Sequence, residues 1–303
     1  MVQLHKYSGA GNDFVVLDGR NADVSAFRTA GKIAELCDRE HGFAAADGRI
    51  GADGLMILTA DPDYDFRMEY YNSDGSGGMM CGNGGRCIVA FADALGLTPA
   101  DGRIFRFIAA DGEHTGEILA RDGDRKTVRI RMIDVRIFHP ALDGWFLDTG
   151  TRHFVRFVPD AEAVDVEEEG RRARWDPVFA PIGANANFVS VDPDGTLRVR
   201  TFEKGVEGET LACGTGITAS AIAAFLASSR PDRNYFSDKF AEKPISAPTS
   251  TTPAHASPSF ADLTVGSCHY DIQARIARLA VDFRVGDGCF TDVYLTGPAD
   301  EIR

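Results

Sequence analysis

The chain has 303 residues, with 45 acidic against 32 basic residues and a net charge of -13. This balance leaves no basic surface to hold phosphate backbones or anionic lipid, so nucleic acid is not an expected partner. The longest apolar run, 219–227, is too short to span a membrane. The six cysteines include no Cys-x-x-Cys pair. We therefore expect a soluble, cytoplasmic protein with free thiols and no metal site.

Two strands and a helix are predicted in the first half of the chain. Residues 14–18 form an apolar run after an Asn-containing turn, which indicates a buried strand. Between Tyr64 and Tyr70, aromatic and apolar residues alternate with charged ones, which indicates a half-exposed strand. A nearly uncharged segment then predicts a helix over 84–95 that ends before Gly96.

The second half repeats this order. Residues 188–192 echo the buried strand, 197–201 the alternating strand, and 216–228 the apolar helix. Residues 228–262 are rich in Ser, Thr, Pro and Ala and predict a flexible insertion. A strand and a turn are expected over 293–298.

The repeat predicts an α+β fold with two pseudo-symmetric halves. Helices that are apolar on all sides are buried, so we expect a mostly antiparallel sheet wrapped around a central helix in each half. We place the boundary between residues 140 and 141, because His139-Pro140 and Asp143-Gly144 interrupt strand-like sequence. The halves are thus 1–140 and 141–303, with the last strand allowed to pair with the N-terminal half.

Each predicted helix begins at a cysteine followed by glycine. Cys81 precedes Gly82-Asn83-Gly84, and Cys213 precedes Gly214-Thr215-Gly216. The positive end of a helix favours a thiolate, and its free N–H groups at 82, 83, 214 and 215 suit a carboxylate. Two such cysteines facing one cleft between the halves would suit removal and return of a proton beside that carboxylate. The pattern indicates a racemase or epimerase.

Other candidates carry weaker signals. A lone cysteine is usually a small core residue, and this is our interpretation of the other four thiols. His153 lies beside a Thr-Gly-Thr turn and is kept as a possible site residue. The charged run 167–172 is interpreted as a solvated face.

Five sequence blocks together resemble a known family. They are Ser8–Phe14, Asn72–Ser76, Cys81–Cys87, Glu209–Gly216 and Leu295–Ala299. These blocks resemble diaminopimelate epimerases, cofactor-independent enzymes that interconvert LL- and meso-diaminopimelate in lysine and peptidoglycan precursor synthesis. The related proline racemases typically carry His where this chain has Asn83. The resemblance implies an isomerase without a cofactor, acting on a small amino acid, and a homodimer.

The resemblance also implies roles for individual residues. Cys81 and Cys213 would be the acid–base pair, with Gly82, Asn83, Gly214 and Thr215 around the reacting carboxylate. The far end of the substrate would be bound by Asn12, Asn72, Thr151, Asn185, Glu203 and Lys204.

Three positions depart from the family pattern. Lys204 stands where arginine is usual, and a lysine lacks the bidentate fork of a guanidinium. Arg152 adds a charge before His153, and we consider it as a replacement for that guanidinium. Gly54 stands where a glutamine is often found. These departures leave open an epimerase or racemase of another amino acid. The unusual insertion after Ser228 and the expected lack of the family's last strand leave open a non-catalytic amino-acid-binding homologue.

Overall fold

The computed structural model describes residues 2–78, 81–229, 266–286 and 288–303. In chain order the strands are β1 (Leu4–Gly9), β2 (Asn12–Asp18), β3 (Gly54–Thr59), β4 (Phe66–Asn72), β5 (Ile104–Ala109), β6 (Gly112–Asp122), β7 (Arg125–Arg131), β8 (Ile137–Ala141), β9 (Gly144–Asp148), β10 (Arg152–Phe157), β11 (Asn185–Val191), β12 (Leu197–Glu203), β13 (Gly208–Thr210), β14 (Ser267–Gln273), β15 (Arg278–Gly286) and β16 (Cys289–Glu301). The α-helices are α1 (Ala30–Cys37), α2 (Gly82–Ala94), α3 (Val166–Arg174) and α4 (Gly214–Ser228). Short 3-10 helices span Ser25–Arg28 and Pro177–Phe179.

The chain divides into two compact units. The first unit comprises residues 1–131 and 296–303, and the second comprises 132–295. The predicted boundary at 140/141 therefore falls inside the second unit, within β8. Pro140 is tolerated in this strand because β8 is the last strand in the sheet order. An edge strand has no neighbour on one side, so a residue without an N–H loses no hydrogen bond there. The chain turns afterwards, at Leu142-Asp143.

The first unit is a closed barrel of eight strands. The order runs from β1 to β7 and then to β16, which pairs back onto β1. The pairs β2–β3 and β4–β5 are parallel and the others are antiparallel. The strand that closes the barrel includes Gly297 and Pro298, where the sequence predicts a turn; these residues pair instead with Val128 and Thr127 of β7.

The second unit is a strongly curved sheet. Its order is β16, β15, β14, β12, β11, β10, β9, β8, with β13 attached to β12. Val135, just before β8, exchanges two backbone hydrogen bonds of 2.8 and 2.9 Å with Phe290 of β16, at the other end of this order. The sheet therefore bends back toward its own first strand.

Each unit buries one long helix. Eleven of the thirteen residues of α2 are buried, and this helix packs against β1, β2, β3, β6 and β7. Eleven of the fifteen residues of α4 are buried, and this helix packs against β9, β10, β11, β12, β14 and β15. Apart from Arg86 and Asp93 neither helix carries a charged residue, so burial of their other side chains costs little.

The order of parallel and antiparallel pairs shows which strands of the two units correspond, and one of these correspondences differs from the sequence prediction. From β1 to β5 the pairs run antiparallel, parallel, antiparallel, parallel, and the same series runs through β9, β10, β11, β12 and β14. On this correspondence β12 matches β4, as expected, but β11 matches β3. Residues 14–18 lie in β2, which corresponds to β10 and not to β11. The predicted equivalence of 14–18 and 188–192 is therefore wrong, because many buried strands share this apolar pattern. The predicted insertion 228–262 lies almost wholly outside the described residues.

Candidate active site

Cys81 caps the N-terminus of α2. Its backbone is extended, with φ -105° and ψ 154°, and its Sγ accepts a hydrogen bond of 3.3 Å from the N–H of Gly84. The first intrahelical bond runs from Gly85 N–H to the Cys81 carbonyl, at 2.8 Å. Cys81 is thus a partly exposed residue at the positive end of a buried helix.

A chain of side-chain hydrogen bonds, the amide relay, joins Arg86, Asn83, Asn12 and Asp53 and includes the second residue of α2. Arg86 Nη2 donates to Asn83 Oδ1 at 2.7 Å, Asn83 Nδ2 donates to Asn12 Oδ1 at 2.7 Å, and Asn12 Nδ2 donates to Asp53 Oδ2 at 2.9 Å. A guanidinium only donates and a carboxylate only accepts. The two ends therefore fix which way both asparagine amides point.

Both ends of the amide relay are themselves held. Arg86 is fully buried and its Nε donates to the Pro298 carbonyl at 3.3 Å, while burial lowers its pKa to about 10. Asp53 also accepts from Arg39, which bridges to Asp13. These contacts stabilise one orientation of Asn12 and Asn83 before any ligand binds.

Asn72 lies apart from the amide relay. Its Nδ2 donates to Ser76 Oγ at 3.0 Å and its backbone N–H to the Ser76 carbonyl at 2.9 Å, in the turn after β4. It is paired across strands with Gly54, next to Asp53. Its position is therefore set by the turn.

Cys213 caps the N-terminus of α4 in a different environment. It is 7% exposed, its side chain makes no capping bond to a helix N–H, and its Sγ lies 3.4 Å from Thr215 Oγ1. The Ile217 N–H closes the first helical turn on the Cys213 carbonyl at 2.8 Å. The sulfur of Cys213 thus contacts a hydroxyl, whereas that of Cys81 contacts a backbone N–H.

A hydroxyl–imidazole cluster of Thr151, His153 and Thr215 lies beside Cys213. His153 Nε2 is 2.8 Å from Thr151 Oγ1 and 2.9 Å from Thr215 Oγ1, and the two hydroxyls are 3.0 Å apart. Asn185 Nδ2 completes the group at 3.4 Å from Thr151 Oγ1. The sequence candidates Thr151, His153, Asn185 and Thr215 therefore come together.

Asn187 fixes the tautomer of His153. Its Oδ1 accepts from Thr201 Oγ1 at 2.9 Å, and its Nδ2 donates to the Phe154 carbonyl at 3.0 Å and to His153 Nδ1 at 3.1 Å. Since Nδ1 accepts, the ring proton of the neutral imidazole is on Nε2 and points at the two hydroxyls. Sequence reasoning missed Asn187, although its spacing of two from Asn185 in a strand places both side chains on one face.

His153 stays neutral in the folded protein. Burial lowers its pKa from 6.5 to about 3, with a smaller contribution from the charge of Lys204. Below pH 6.5 the unfolded chain therefore binds a proton that the folded chain does not, and the free energy of unfolding falls by up to about 1.4 kcal/mol per pH unit.

We expect His153→Gln to flatten this dependence. The free energy of unfolding is measured with urea at pH 7.5 and at pH 5. The loss between these two pH values should be about 2 kcal/mol smaller in His153→Gln than in the parent chain. His139→Gln, which replaces an exposed histidine, is the control and should keep the parental dependence of stability on pH. Equal losses in His153→Gln and the parent would contradict a neutral buried imidazole.

The remaining candidates surround Asn185. Asn185 Oδ1 accepts from the backbone N–H of Lys204 at 2.6 Å, at the end of β12. The Lys204 ammonium forms no ion pair with any residue that the structure describes. Burial raises the pKa of the neighbouring Glu203 carboxyl. A carboxyl group and a cation are thus carried by consecutive residues, Glu203 and Lys204, where β12 ends.

Arg152 does not replace the missing guanidinium. Its Nη1 donates to the Phe179 carbonyl at 3.2 Å, and its guanidinium carbon lies 5.1 Å from the centre of the Phe146 ring. Side chains alternate along β10, so Arg152 is on the face opposite His153. Our suggestion that Arg152 compensates for Lys204 is therefore wrong.

The described residues contain neither a metal-binding cluster of side chains nor a membrane-spanning helix. No group of three or more His, Cys, Asp or Glu side chains is placed to hold a metal ion. Within the same residues, no helix is both long enough and apolar enough to cross a membrane.

Solved structures show the fold to which this architecture belongs. A PhzF-family phenazine biosynthesis protein of Bacillus anthracis superposes with a TM-score of 0.65 at 12% identity, over 99% of this chain and 96% of that one. A probable proline racemase from Agrobacterium radiobacter gives a TM-score of 0.58 at 17% identity, over 99% and 90%. The chain therefore has the α+β fold of the PhzF and proline racemase proteins.

Sequence comparison identifies the family of this chain among the proteins that share this fold. The family model described as diaminopimelate epimerase matches residues 4–104 and 145–239. The diaminopimelate epimerase of Flavobacterium psychrophilum is 35% identical over 301 residues, covering 99% of this chain and 98% of that protein. That of Chlorobaculum tepidum is 40% identical over 223 residues, covering 72% and 81%. The chain belongs to the diaminopimelate epimerase family, a family of isomerases.

Proposed function

We propose that this protein interconverts LL- and meso-diaminopimelate without a cofactor, using Cys81 and Cys213 as the acid–base pair. The observation that carries the proposal is that each cysteine caps the buried helix of its own unit. Such a position favours the thiolate and places helix N–H groups beside the sulfur. Both features are what proton abstraction next to a carboxylate requires.

The proposed reaction moves two protons. One cysteine, as thiolate, takes the α-hydrogen of the substrate and becomes a thiol, and the electron pair delocalises into the α-carboxylate. The other cysteine, as thiol, gives its proton to the opposite face of the carbon and becomes a thiolate. The α-carbon is inverted, and the two cysteines exchange protonation states with no net change in composition. The mechanism therefore requires both sulfurs to reach one α-carbon.

The α-carboxylate in this mechanism is bound by backbone N–H groups. We assign this role to Gly82 and Asn83 of α2 and to Gly214 and Thr215 of α4. Negative charge grows on the carboxylate as the proton leaves, so preorganised N–H dipoles stabilise the transition state more than the ground state. The amide relay supports this role by fixing the first turn of α2 at Asn83.

The distal end of diaminopimelate carries a second ammonium and a second carboxylate. We assign the carboxylate to Lys204, whose ammonium has no ion-pair partner among the described residues, and the ammonium to Glu203. Asn12, Asn72, Thr151 and Asn185 complete the proposed binding set. These polar groups fit a substrate that is charged at both ends.

The test is hydrogen exchange in heavy water. Incubation with LL-diaminopimelate and no added cofactor should introduce deuterium at the α-carbon, seen by NMR, and produce the meso isomer, seen by chromatography. Folded, reduced protein that gives neither would overturn the proposal. Binding without exchange would identify a non-catalytic homologue, and exchange of another amino acid alone would identify a different epimerase. Sedimentation of the same sample tests the proposed homodimer.

Lys204→Met should weaken distal recognition. Loss of one charged hydrogen bond is expected to raise KM for LL-diaminopimelate about tenfold with a smaller change in kcat, because this contact is made equally in the ground and transition states. Lys204→Arg keeps the charge and should stay within about threefold of the parent. Steady-state kinetics of the three proteins decides the assignment: an unchanged KM in Lys204→Met would remove Lys204 from the site.

A further inference from the structure

Tyr70 lies at the Cys81 end of the first unit. On β4 it follows Phe66 and Met68 on one face, and both of these residues are buried inside the barrel. Met68 Cε and Met56 Sδ each lie 3.5 Å from the point that a Cβ on Gly84 would occupy, so this face looks onto the first turn of α2. Tyr70 is the cross-strand partner of Met56. It therefore lies on the face that lines the N-terminus of α2.

Two glycines make room for the Tyr70 ring. A Cβ on Gly54 would lie 2.6 Å from Tyr70 Cε2, and a Cβ on Gly78 would lie 2.3 Å from Tyr70 Cδ1. Real Cβ atoms do not approach so closely, so the ring occupies space that any other residue at either position would need. Phe14 packs edge-on against the same ring, with centroids 5.9 Å apart. The aromatic ring is thus held on several sides.

The Tyr70 hydroxyl has no protein partner among the described residues. Neighbouring tyrosines do: Tyr71 donates to Glu69 at 3.2 Å and Tyr64 to Glu113 at 3.1 Å. Burial raises the pKa of Tyr70, and the negative charges of Cys81 and Asp53 raise it further. The phenol is therefore a protonated donor on the side of the barrel that carries the Cys81 sulfur.

A rigid, half-buried donor without an acceptor suits an anionic ligand. The ring costs little entropy on binding because Gly54, Gly78 and Phe14 already hold it. The anionic group that the proposed reaction brings next to Cys81 is the α-carboxylate of the amino acid. A neutral phenol can donate to that carboxylate without adding another charge.

We infer that Tyr70 is a further substrate-binding residue, whose hydroxyl donates a hydrogen bond to the α-carboxylate beside Cys81. The inference rests on the proposed function. It also bears on the departure at Gly54. A side chain at this position would meet the Tyr71 carbonyl and the Tyr70 ring, and the Tyr70 phenol is the polar group that this part of β4 offers to a ligand instead.

The experiment compares Tyr70→Phe with Tyr71→Phe. Tyr70→Phe removes the hydroxyl and keeps the ring, so the fold is retained; kcat/KM for LL-diaminopimelate should fall about 10- to 100-fold. Tyr71→Phe removes a hydroxyl from the adjacent residue, on the other face of β4, and should stay within about twofold of the parent. The effect should therefore be specific to one of two neighbouring tyrosines.

Alkylation of Cys81 supplies a second readout. Iodoacetamide labelling of the Cys81 peptide, followed by mass spectrometry, should be slowed by LL-diaminopimelate, and Tyr70→Phe should need about ten times more substrate for the same protection. The labelling rate without substrate should not change, whereas a merely structural role would alter it.

Each outcome decides between the two proposals. Parental kinetics and protection in Tyr70→Phe would overturn the role of Tyr70 and leave the proposed function standing. A parent chain that is neither active toward LL-diaminopimelate nor protected by it would overturn both.

Discussion

Alanine in place of Cys81 or Cys213 is expected to lower kcat/KM for epimerisation about 1000-fold or more. Inversion by two bases needs a proton acceptor on one face of the carbon and a donor on the other, so loss of either thiol stops turnover in both directions. Initial rates should be measured from the LL and the meso isomer, with deuterium incorporation followed in parallel.

Cys268→Ala is the matched control for this experiment. Cys268 is a partly exposed thiol on β14 with no role in the proposed reaction, and its replacement should leave activity within about twofold. If Cys81→Ala or Cys213→Ala kept a tenth of the parental rate, the two-base mechanism would be wrong.

Arg86→Met is expected to lower kcat/KM about 100-fold while leaving the protein folded. The guanidinium donates to Asn83 Oδ1, and without it the asparagine amides of the amide relay lose the donor that fixes their direction. The stability cost is expected to be moderate: methionine removes a buried cation that has no carboxylate partner among the described residues, but it leaves the Asn83 and Pro298 oxygens without this donor. Kinetics and urea unfolding of the same preparation separate the two effects.

Arg86→Lys distinguishes charge from geometry. A lysine keeps the cation but lacks the planar fork that bonds Asn83 and the Pro298 carbonyl together. We expect an activity between those of the parent and Arg86→Met. Parental kcat/KM in Arg86→Met would show that the amide relay is not needed for the reaction.

The features that sequence predicted best are local. The two cysteine-capped helices are confirmed, since α2 and α4 begin one residue after Cys81 and Cys213. Their apolar composition and glycine-rich starts act over a few residues, and such signals survive any tertiary arrangement. Gly96 has a positive φ of 76° just after α2, as expected for a residue that ends a helix.

The features that sequence missed depend on distant partners. The direction of the amide relay is set by Arg86 at one end and Asp53 at the other, which no local pattern reveals. The register of β10 decides on which face of the sheet Arg152 lies. A sequence motif does not show that the aromatic ring of Phe146 packs against it there. Long-range pairing likewise placed 296–298 in a strand, where Gly-Pro alone predicts a turn.

The strand that closes the first barrel has a consequence for how the protein is made. Residues 296–301 of β16 are translated after the whole second unit, yet they pair with β7 and β1 of the first. While the ribosome is still making the second unit, β1 and β7 expose the two unpaired edges of an open sheet, and α2 lacks one wall of its barrel. The first part of this chain to be synthesised is therefore among the last to be completed.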